Sequence, residues 1–383
     1  MLLIATLLPA LASATEAVVP VAFLTQARPS VQPVSPLDRE TSDEGLAGAR
    51  LGLADTATTG RFTGQRFTLI ERVIAVGEDP AAVVRAPLAG GVRLAVADLD
   101  MPVLLKAAEA GDLLILNSRA PDDALRGESC RANLLHVIPS RAMRADALAQ
   151  YLAVKRWRRW FLVFGQGPGD RLLAEAFRRA AKRFGAEIVA EKEWTFQPGQ
   201  GRADTGHVAL QSEIPVVTQG PDHDVLVVAD EGDKFGEYLS GRTARPRPVA
   251  GTHGLVAAGF SPVSEQWGAT QLHARFEKLA GRRMGAIDYA AWAAVRAIGE
   301  AALRSRSSDP ATIAAYLRGP DFLLAGFKGQ GQSFRPWDGQ MRQPILIAGP
   351  RMLVSVSPQA GFLRRGSELD TLGPDREESR CKV

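Results

Sequence analysis

The sequence predicts an α/β protein with two lobes, each built around a parallel sheet with helices on both faces. Short apolar runs, typical of buried strands, alternate along the chain with segments whose apolar residues recur at helical spacing. This alternation indicates repeated β-α-β units, and there are more of them than one small sheet can hold. A chain of 383 residues is also long enough for two domains with separate cores.

The elements follow in order from the N-terminus. VVPVAFL is the first predicted strand, a Pro/Ser-rich loop runs through Pro36, and a helix follows whose predicted apolar face contains Leu46, Ala49, Leu53 and Ala54. Later strands are predicted at VRLAVADL, DLLILNS, FLVFG, EIVAEKEW and DVLVVADEG. Helices are predicted at MPVLLKAAEAG, Arg171–Phe184, HVALQSEIP, Glu265–Ala280 and Asp288–Arg304.

The last part of the chain has a different pattern. In FKGQGQSFRPWDGQMRQPILIAGPRMLVSVSP, turn residues separate short runs, which predicts a β-rich hairpin that returns to one lobe. The tail after Phe362 is polar and charged, and we expect it to lie extended over the surface.

Composition narrows the classes of function. The hydrophobic content of 46% and the charged content of 23% are those of a globular protein. The net charge of +4 is small and basic residues are interleaved with acidic ones, which argues against a nucleic-acid surface. Such a balance is compatible with a small anionic ligand.

The N-terminus carries a targeting pattern. Leu2 to Leu11 form an apolar run too short to span a bilayer, and Ala12-Ser13-Ala14 follows as a small-x-small cleavage site. We therefore expect residues 1–14 to be a signal peptide, with export to the periplasm and a mature chain beginning near Thr15. A buried first helix is the alternative. The apolar runs later in the sequence are too short to span a membrane.

Cys130 and Cys381 are the two cysteines. Two thiols in an exported chain can pair, and a disulfide would attach the C-terminal tail to the first half of the protein. The sequence leaves the pairing open. Without C-x-x-C spacing and with five scattered histidines, a metal site is not expected.

The turn FGQGPGD, residues 164–170, resembles the start of a dinucleotide-binding unit because an apolar strand, a Gly-rich turn and a helix follow one another. The fingerprint G-x-G-x-x-G requires a third glycine, but Asp170 stands there. A carboxylate at this position suits the helix dipole and would repel a pyrophosphate. The pattern therefore disfavours an NAD(P)-dependent oxidoreductase, which is the alternative from another functional class.

Catalytic motifs are absent from the sequence. G-x-S-x-G, H-E-x-x-H and S-x-x-K do not occur at usable positions, and the histidines lack ligand spacing, so we predict no enzymatic activity.

Polar residues instead follow the predicted strands. In open α/β sheets, ligands bind beyond the carboxyl ends of the strands, where the strand order reverses. Such residues from both lobes predict a shared cleft for a small molecule. The candidates are Gln26, Arg28, Asp98, Asn117, Ser118, Arg119, Gln166, Glu231 and His253.

Several segments resemble the type I periplasmic binding proteins of ABC importers, the family that binds leucine, isoleucine and valine. They are WRRWFLVFGQGPGDRLLAEAFRRAAKRFGAEIVAEKEW, DEGLAGARLGLADTATTG and MGAIDYAAWAAVRAIGEAAL. The resemblance implies two Rossmann-like lobes with a cleft and a hinge, no required cofactor, and a permease and ATPase as partners. It also implies an N-terminal lobe at 15–137 and 256–322, a C-terminal lobe at 138–255 and 323–362, and a tail at 363–383.

Other segments resemble a subfamily encoded beside alcohol dehydrogenases that use pyrroloquinoline quinone (PQQ). They are HVIPSRAMRADALAQYLAVKRW, SFRPWDGQMRQPILIAGP, SPQAGF and ELDTLGPDREESRC. The resemblance implies a PQQ-dependent dehydrogenase system as a partner and PQQ, or an alcohol-pathway metabolite, as the ligand. Carboxylate contacts would then come from Arg28, Arg119 or Arg335, and stacking from Trp267 or Trp337.

The candidate site departs from the amino-acid binders of the family. Where they have a Ser/Thr-rich turn, this chain has Ala97-Asp98-Leu99, and where they place an aromatic residue it has Gln166. An aspartate facing a ligand carboxylate is unfavourable unless it is protonated or bridged by a metal. These departures weigh against branched-chain amino acids, although an amino acid stays an alternative ligand. A sensory module is a third hypothesis for the function of the chain.

Overall fold

The computed structural model describes residues 16–28, 41–195, 212–362 and 367–382. The predicted signal peptide and most of the Pro/Ser-rich loop lie outside these residues. The helices are α1 (Leu46–Thr63), α2 (Pro80–Ala89), α3 (Met101–Ala108), α4 (Arg141–Val154), α5 (Pro168–Phe184), α6 (helical at 212–217), α7 (Ala269–Ala280), α8 (Ala286–Ser305) and α9 (Pro310–Arg318). None of these described helices is long and apolar enough to cross a membrane.

The first lobe contains a five-stranded sheet in the order β2-β1-β3-β4-β5, and all its strands are parallel. Helices α1, α7 and α8 contribute to the core on one face, whereas α2 and α3 pack on the other. Strand order reverses between β1 and β3, so this edge is the expected position of a ligand. The strands are β1 (Ala17–Gln26), β2 (Gln65–Ile74), β3 (Leu94–Asp98), β4 (Leu114–Asn117) and β5 (Leu134–His136).

The second lobe repeats this topology. Its parallel strands run in the order β7-β6-β8-β9-β10, and two antiparallel strands, β14 and β15, extend the sheet beyond β10. The reversal here falls between β6 and β8. The strands are β6 (Arg159–Phe164), β7 (Glu187–Glu193), β8 (Val225–Ala229), β9 (Val249–Gly251), β10 (Leu255–Ala258), β14 (Ile345–Ala348) and β15 (Leu353–Ser357).

Two predicted lobe boundaries differ from the structure. The boundary at 256 falls inside β10, which pairs with β9 and β14, so the chain leaves the second lobe after Ala258. From 323 the chain first forms a small antiparallel sheet of β11 (Leu324–Ala325), β12 (Gly331–Phe334) and β13 (Met341–Arg342). Leu324, Phe334 and Met341 belong to the first-lobe core, and return to the second sheet comes only at β14.

Helices α1 and α8 approach each other through glycine. A Cβ on Gly48 would stand 2.6 Å from the carbonyl carbon of Asp288, and one on Gly52 would stand 2.8 Å from the carbonyl oxygen of Trp292. Glycines therefore form the part of the buried face of α1 that lies closest to α8. Ala54, predicted to lie on it, is exposed.

The predicted helix Glu265–Ala280 begins later, at Ala269. Trp267 (φ 53°) and Gly268 (φ 84°) both have left-handed backbone conformations, which interrupt a right-handed helix.

Within the described residues, three segments connect the lobes, at 137–140, 259–268 and 343–344, and the buried Lys328 contacts two of them directly. Its Nζ donates to the carbonyl oxygens of Gly259 (2.6 Å) and Pro344 (3.1 Å) and to the side chain of Gln343. Gln343 in turn donates to the carbonyl oxygen of Val137 (2.5 Å). Burial lowers the pKa of Lys328 well below its usual value. Hydrogen bonds from one buried lysine and its glutamine partner to backbone carbonyl oxygens therefore link the connecting segments.

The tail is packed rather than simply extended over the surface. Leu369 and Leu372 are buried, and Arg335 donates to the carbonyl oxygens of both (3.1 and 2.7 Å). At its far end, Cys381 forms a disulfide with Cys130.

Candidate ligand-binding site

The carboxyl ends of the two sheets face each other, and Arg141 joins them. This residue starts α4, directly after the first connecting segment. Its guanidinium contacts Asp122, which follows β4 in the first lobe (2.8 Å), and Glu231, which follows β8 in the second (2.7 Å). Although burial opposes the charged form, Glu231 and Asp122 raise the pKa of Arg141. The strand ends of both lobes thus line one interlobe region.

Asp98 organises the first-lobe side of this region. It lies buried at the end of β3 and accepts hydrogen bonds from Thr25 (3.1 Å), Arg28 (3.2 Å) and Arg119. Arg119 also pairs with Glu44, which precedes α1. Burial opposes the charge on Arg119, but Asp98 and Glu44 together raise its pKa. The structure therefore brings Arg28, Asp98 and Arg119 into one charged cluster at the β1/β3 reversal.

Gln26 extends this cluster at the rim. Its Nε2 donates to the carboxylate of Asp100 (2.7 Å), and its Oε1 accepts from the Asp100 backbone N–H (2.9 Å). Arg28 lies 3.8 Å from the same carboxylate, so Gln26 and Arg28 share a partner.

Asn117 and Ser118 play a supporting part in this structure. Asn117 Oδ1 accepts the backbone N–H groups of Arg119 (3.1 Å) and Ala120 (2.9 Å), and Ser118 donates to the carbonyl oxygen of Ala97 (3.0 Å). Both side chains are fully buried. They shape the turn that presents Arg119 rather than facing the cleft themselves.

On the second lobe, Asp170 occupies the position that a phosphate takes in nucleotide enzymes. Its carboxylate accepts the backbone N–H groups of Gly167 (3.0 Å) and Glu231 (2.6 Å). A Cβ on Gly167 would stand 2.8 Å from the same carboxylate. Burial raises the pKa of Asp170. The Asp170 carboxylate thus uses the backbone N–H groups that would bind a pyrophosphate, which argues against an NAD(P) site. Gln166, in the same turn, is exposed.

Glu231 is held by two arginines of α4, Arg141 and Arg144. It also packs tightly on the start of α5, where a Cβ on Gly169 would stand 2.6 Å from its Oε2. Glu231 is therefore positioned at the β6/β8 reversal, and its role in ligand binding stays a prediction.

His253 follows β9 and contacts an acidic loop. Its Nε2 lies 2.9 Å from Asp233, and its Nδ1 lies 3.0 Å from the hydroxyl of Thr252. Among the described residues, Asp230, Asp233 and His253 have ligand atoms within 4.8 Å of one another, a spacing that a metal ion could use. Asp230 already accepts three backbone N–H groups, from residues 234, 235 and 236. Most of the acceptor capacity of Asp230 is therefore used within its own loop.

Two of the predicted arginine contacts for PQQ belong to the charged cluster described above, but the third arginine and both tryptophans do not. Trp267 is 45% exposed and lies over Gly329, in the loop before β12. Arg335 is buried against the tail and pairs with Asp370 (2.9 Å). The guanidinium carbon of Arg335 lies 5.4 Å from the centre of the Trp337 ring. These three residues serve the small sheet and the tail in this structure.

Sequence reasoning missed Arg141, Glu44 and Asp122. The one available signal was Ser140, a helix N-cap, followed by arginines three positions apart at Arg141 and Arg144. That pattern predicts a helix with a basic face but not which acids it meets.

The buried His136, at the end of β5, makes the stability of the fold depend on pH. Burial and the nearby Arg126 lower its pKa well below 6.5, so the folded protein keeps it neutral where an unfolded chain takes up a proton. Stability from this group is present above about pH 6.5 and is lost as pH falls, at up to about 1.4 kcal/mol per pH unit. We expect His136→Gln to show a shallower loss between pH 6.5 and 5 in urea unfolding. Parallel curves for the two proteins would contradict this assignment.

Comparison with known proteins defines the class by fold. No protein-family model and no curated protein sequence matches the chain. Solved structures match over nearly its whole length, and they are type I periplasmic binding proteins of ABC transporters. The predicted fold class, two α/β lobes of this type, is thereby confirmed.

Three of these structures show which kinds of binding protein the chain is similar to. A leucine-, isoleucine-, valine-, threonine- and alanine-binding protein from Brucella ovis, in a closed conformation, is 17% identical, covers 94% of this chain and 96% of its own, and has a TM-score of 0.68. A branched-chain amino acid ABC transporter ligand-binding protein from Burkholderia xenovorans is 16% identical, with coverages of 95% and 99% and a TM-score of 0.68. A solute-binding protein from Rhodopseudomonas palustris in complex with 3,4-dihydroxybenzoic acid is 14% identical, with coverages of 89% and 98% and a TM-score of 0.64.

Proposed function

We propose that this chain is the periplasmic solute-binding component of an ABC importer, without catalytic activity of its own. The observation that carries the proposal is the charged site between the lobes, where residues after β1, β3, β4 and β8 meet and Arg141 contacts both sides. A cleft with convergent polar groups between two lobes is a common position for a small ligand. A permease and an ATPase would be its partners.

The ligand is proposed to carry a carboxylate. Arg28 and Arg119 share the single buried carboxylate of Asp98, and the side chain of Arg28 is 30% exposed. The second acid on Arg119, Glu44, is 40% exposed. A ligand carboxylate that replaced Glu44 would keep Arg119 paired and release Glu44 to water, which avoids leaving a buried charge alone.

Within this class we propose PQQ, or a carboxylate of alcohol oxidation, because of the four segments that resemble the PQQ-associated subfamily. A PQQ-dependent dehydrogenase system would then be functionally linked to the importer. The competing ligands are an amino acid, as named for the Brucella protein, and an aromatic acid, as bound by the Rhodopseudomonas protein. The structural neighbours do not select among these ligands.

A ligand screen by thermal shift tests the proposal. The compounds are PQQ, leucine, 3,4-dihydroxybenzoate and NAD+, because a ligand that binds only the folded state raises its stability by RT ln(1 + [L]/Kd). We expect a rise with a carboxylate ligand and none with NAD+. A response to NAD+ alone would favour an oxidoreductase, and no response to any of these carboxylates would contradict the ligand class.

Variants then locate the site. Arg119→Ala and Arg28→Ala are each expected to weaken binding at least tenfold, since a charge-assisted pair contributes about 1.5–3 kcal/mol. Arg50→Ala is the matched control, because Arg50 pairs with Glu71 on an exposed part of the same lobe (2.8 Å). Equal affinities for all three variants would place the site elsewhere.

A further inference from the structure

The C-terminal tail, residues 367–382, is anchored first on the second lobe and the adjoining small sheet. Leu372 packs into the second-lobe core with α4 and α5. Asp370 accepts hydrogen bonds from Arg335 (2.9 Å) and Arg342 (2.8 Å), which lie after β12 and in β13. This part of the tail is therefore fixed by both apolar burial and ion pairs.

The tail then follows helices α4 and α5. Asp146, fully buried in α4, accepts the backbone N–H of Gly373 (2.9 Å). Arg183 of α5 donates to the carbonyl oxygen of Gly373 (2.9 Å) and pairs with Asp375 (3.2 Å) and Glu378 (3.2 Å). Detaching the tail would cost free energy, because the buried Asp146 would lose one hydrogen-bond donor and Arg183 would lose two acidic partners.

Three residues beyond Glu378, the tail ends on the other lobe. Cys381 forms its disulfide with Cys130, which lies between β4 and β5 of the first lobe. The segment around Cys130 belongs to that lobe, because the next residue, Arg131, pairs with Glu109 at the end of α3 (3.3 Å). The disulfide thus closes a fourth connection between the lobes.

We infer that this tail is a strap that limits how far the lobes separate and so sets the balance between open and closed states. Gly373 and Cys381 are separated by eight residue steps, a span of at most about 29 Å when fully extended. Any opening that lengthens this path must extend the strap or detach it from Asp146. Opening is therefore restricted while the disulfide is intact, and the closed state is more populated.

The inference concerns motion of the lobes and holds for any ligand, so it can fail or succeed separately from the proposed function. The experiment measures the distance between dyes on Val76 and Leu172 by single-molecule FRET in the absence of ligand. Both side chains are exposed, one after β2 and the other in the first turns of α5. Non-canonical amino acids carry the dyes, so that no new thiol competes with the disulfide.

Cys130→Ser/Cys381→Ser is expected to broaden the distance distribution and shift it to longer distances. A second protein keeps the disulfide but carries eight Gly/Ser residues inserted between Ser379 and Arg380. It should show the same shift, whereas a disulfide that only stabilises the fold would not respond to strap length. Near-ultraviolet circular dichroism verifies that each protein is folded.

A wild-type distribution in the insertion protein would overturn the inference, whatever the serine variant does. If the serine variant fails to fold, the insertion protein alone decides.

Discussion

Gly48→Ala is expected to lower the free energy of unfolding by about 2–3 kcal/mol, the upper range for overpacking. A methyl group at this position would overlap the backbone of α8 at Asp288, 2.6 Å from its carbonyl carbon. Backbone cannot move aside as a flexible side chain can, so α1 and α8 must separate. Alanine also favours a helix over glycine by about 1 kcal/mol, and the expected loss is what is left after this gain.

The matched control is Gly361→Ala. A Cβ there has no neighbour within 4 Å, so this substitution should change the free energy of unfolding by no more than about 0.5 kcal/mol. Urea unfolding of both variants measures the difference. If Gly48→Ala is as stable as the control, the close approach of α1 and α8 is incorrect.

The same pair of helices explains where sequence reasoning succeeded and failed. Strong apolar periodicity identified both helices, because burial of an apolar face dominates the pattern. Of the predicted face of α1, Ala49 is buried and Leu46 and Leu53 pack against the core, but Ala54 is exposed. The buried glycines of this face were not predicted, because an apolar count gives no weight to a residue without a side chain. Strand β2 and helix α4 were also not among the predicted elements. Many of β2's residues are only partly buried, and the first turn of α4 carries Arg141 and Arg144.

The candidate site shows a similar division. Strand ends could be predicted, since the carboxyl edges of parallel strands converge, and Arg28, Asp98 and Arg119 do cluster there. What each residue contacts could not be predicted. The partners Arg141 and Glu231 are 90 positions apart, and neither has a local pattern that identifies the other. The roles of Asn117 and Ser118 depend on burial, which a polar residue type does not reveal.

Arg141→Met is expected to lower the free energy of unfolding by about 3 kcal/mol, at the lower end of the range for removing one partner of a buried ion pair. Arg141 is the side chain through which Asp122 of one lobe and Glu231 of the other are paired (2.8 and 2.7 Å). Without Arg141, the carboxylate of Asp122 loses this partner although its side chain is only 17% exposed. Glu231 stays paired with Arg144 of the same lobe. We therefore expect the substitution to weaken the contact between the lobes more than the second lobe itself.

A double-mutant cycle tests whether the loss comes from the pair itself. Arg141→Met/Asp122→Asn should be more stable than the sum of the two single changes predicts by at least about 1 kcal/mol, because Asp122 is the carboxylate that loses its partner when Arg141 is removed. Arg141→Lys is the matched control. It keeps the charge but cannot contact Asp122 and Glu231 with one planar group, and it should recover only part of the stability. Additivity within about 0.5 kcal/mol would mean that Arg141 stabilises the protein through packing and not through the ion pair.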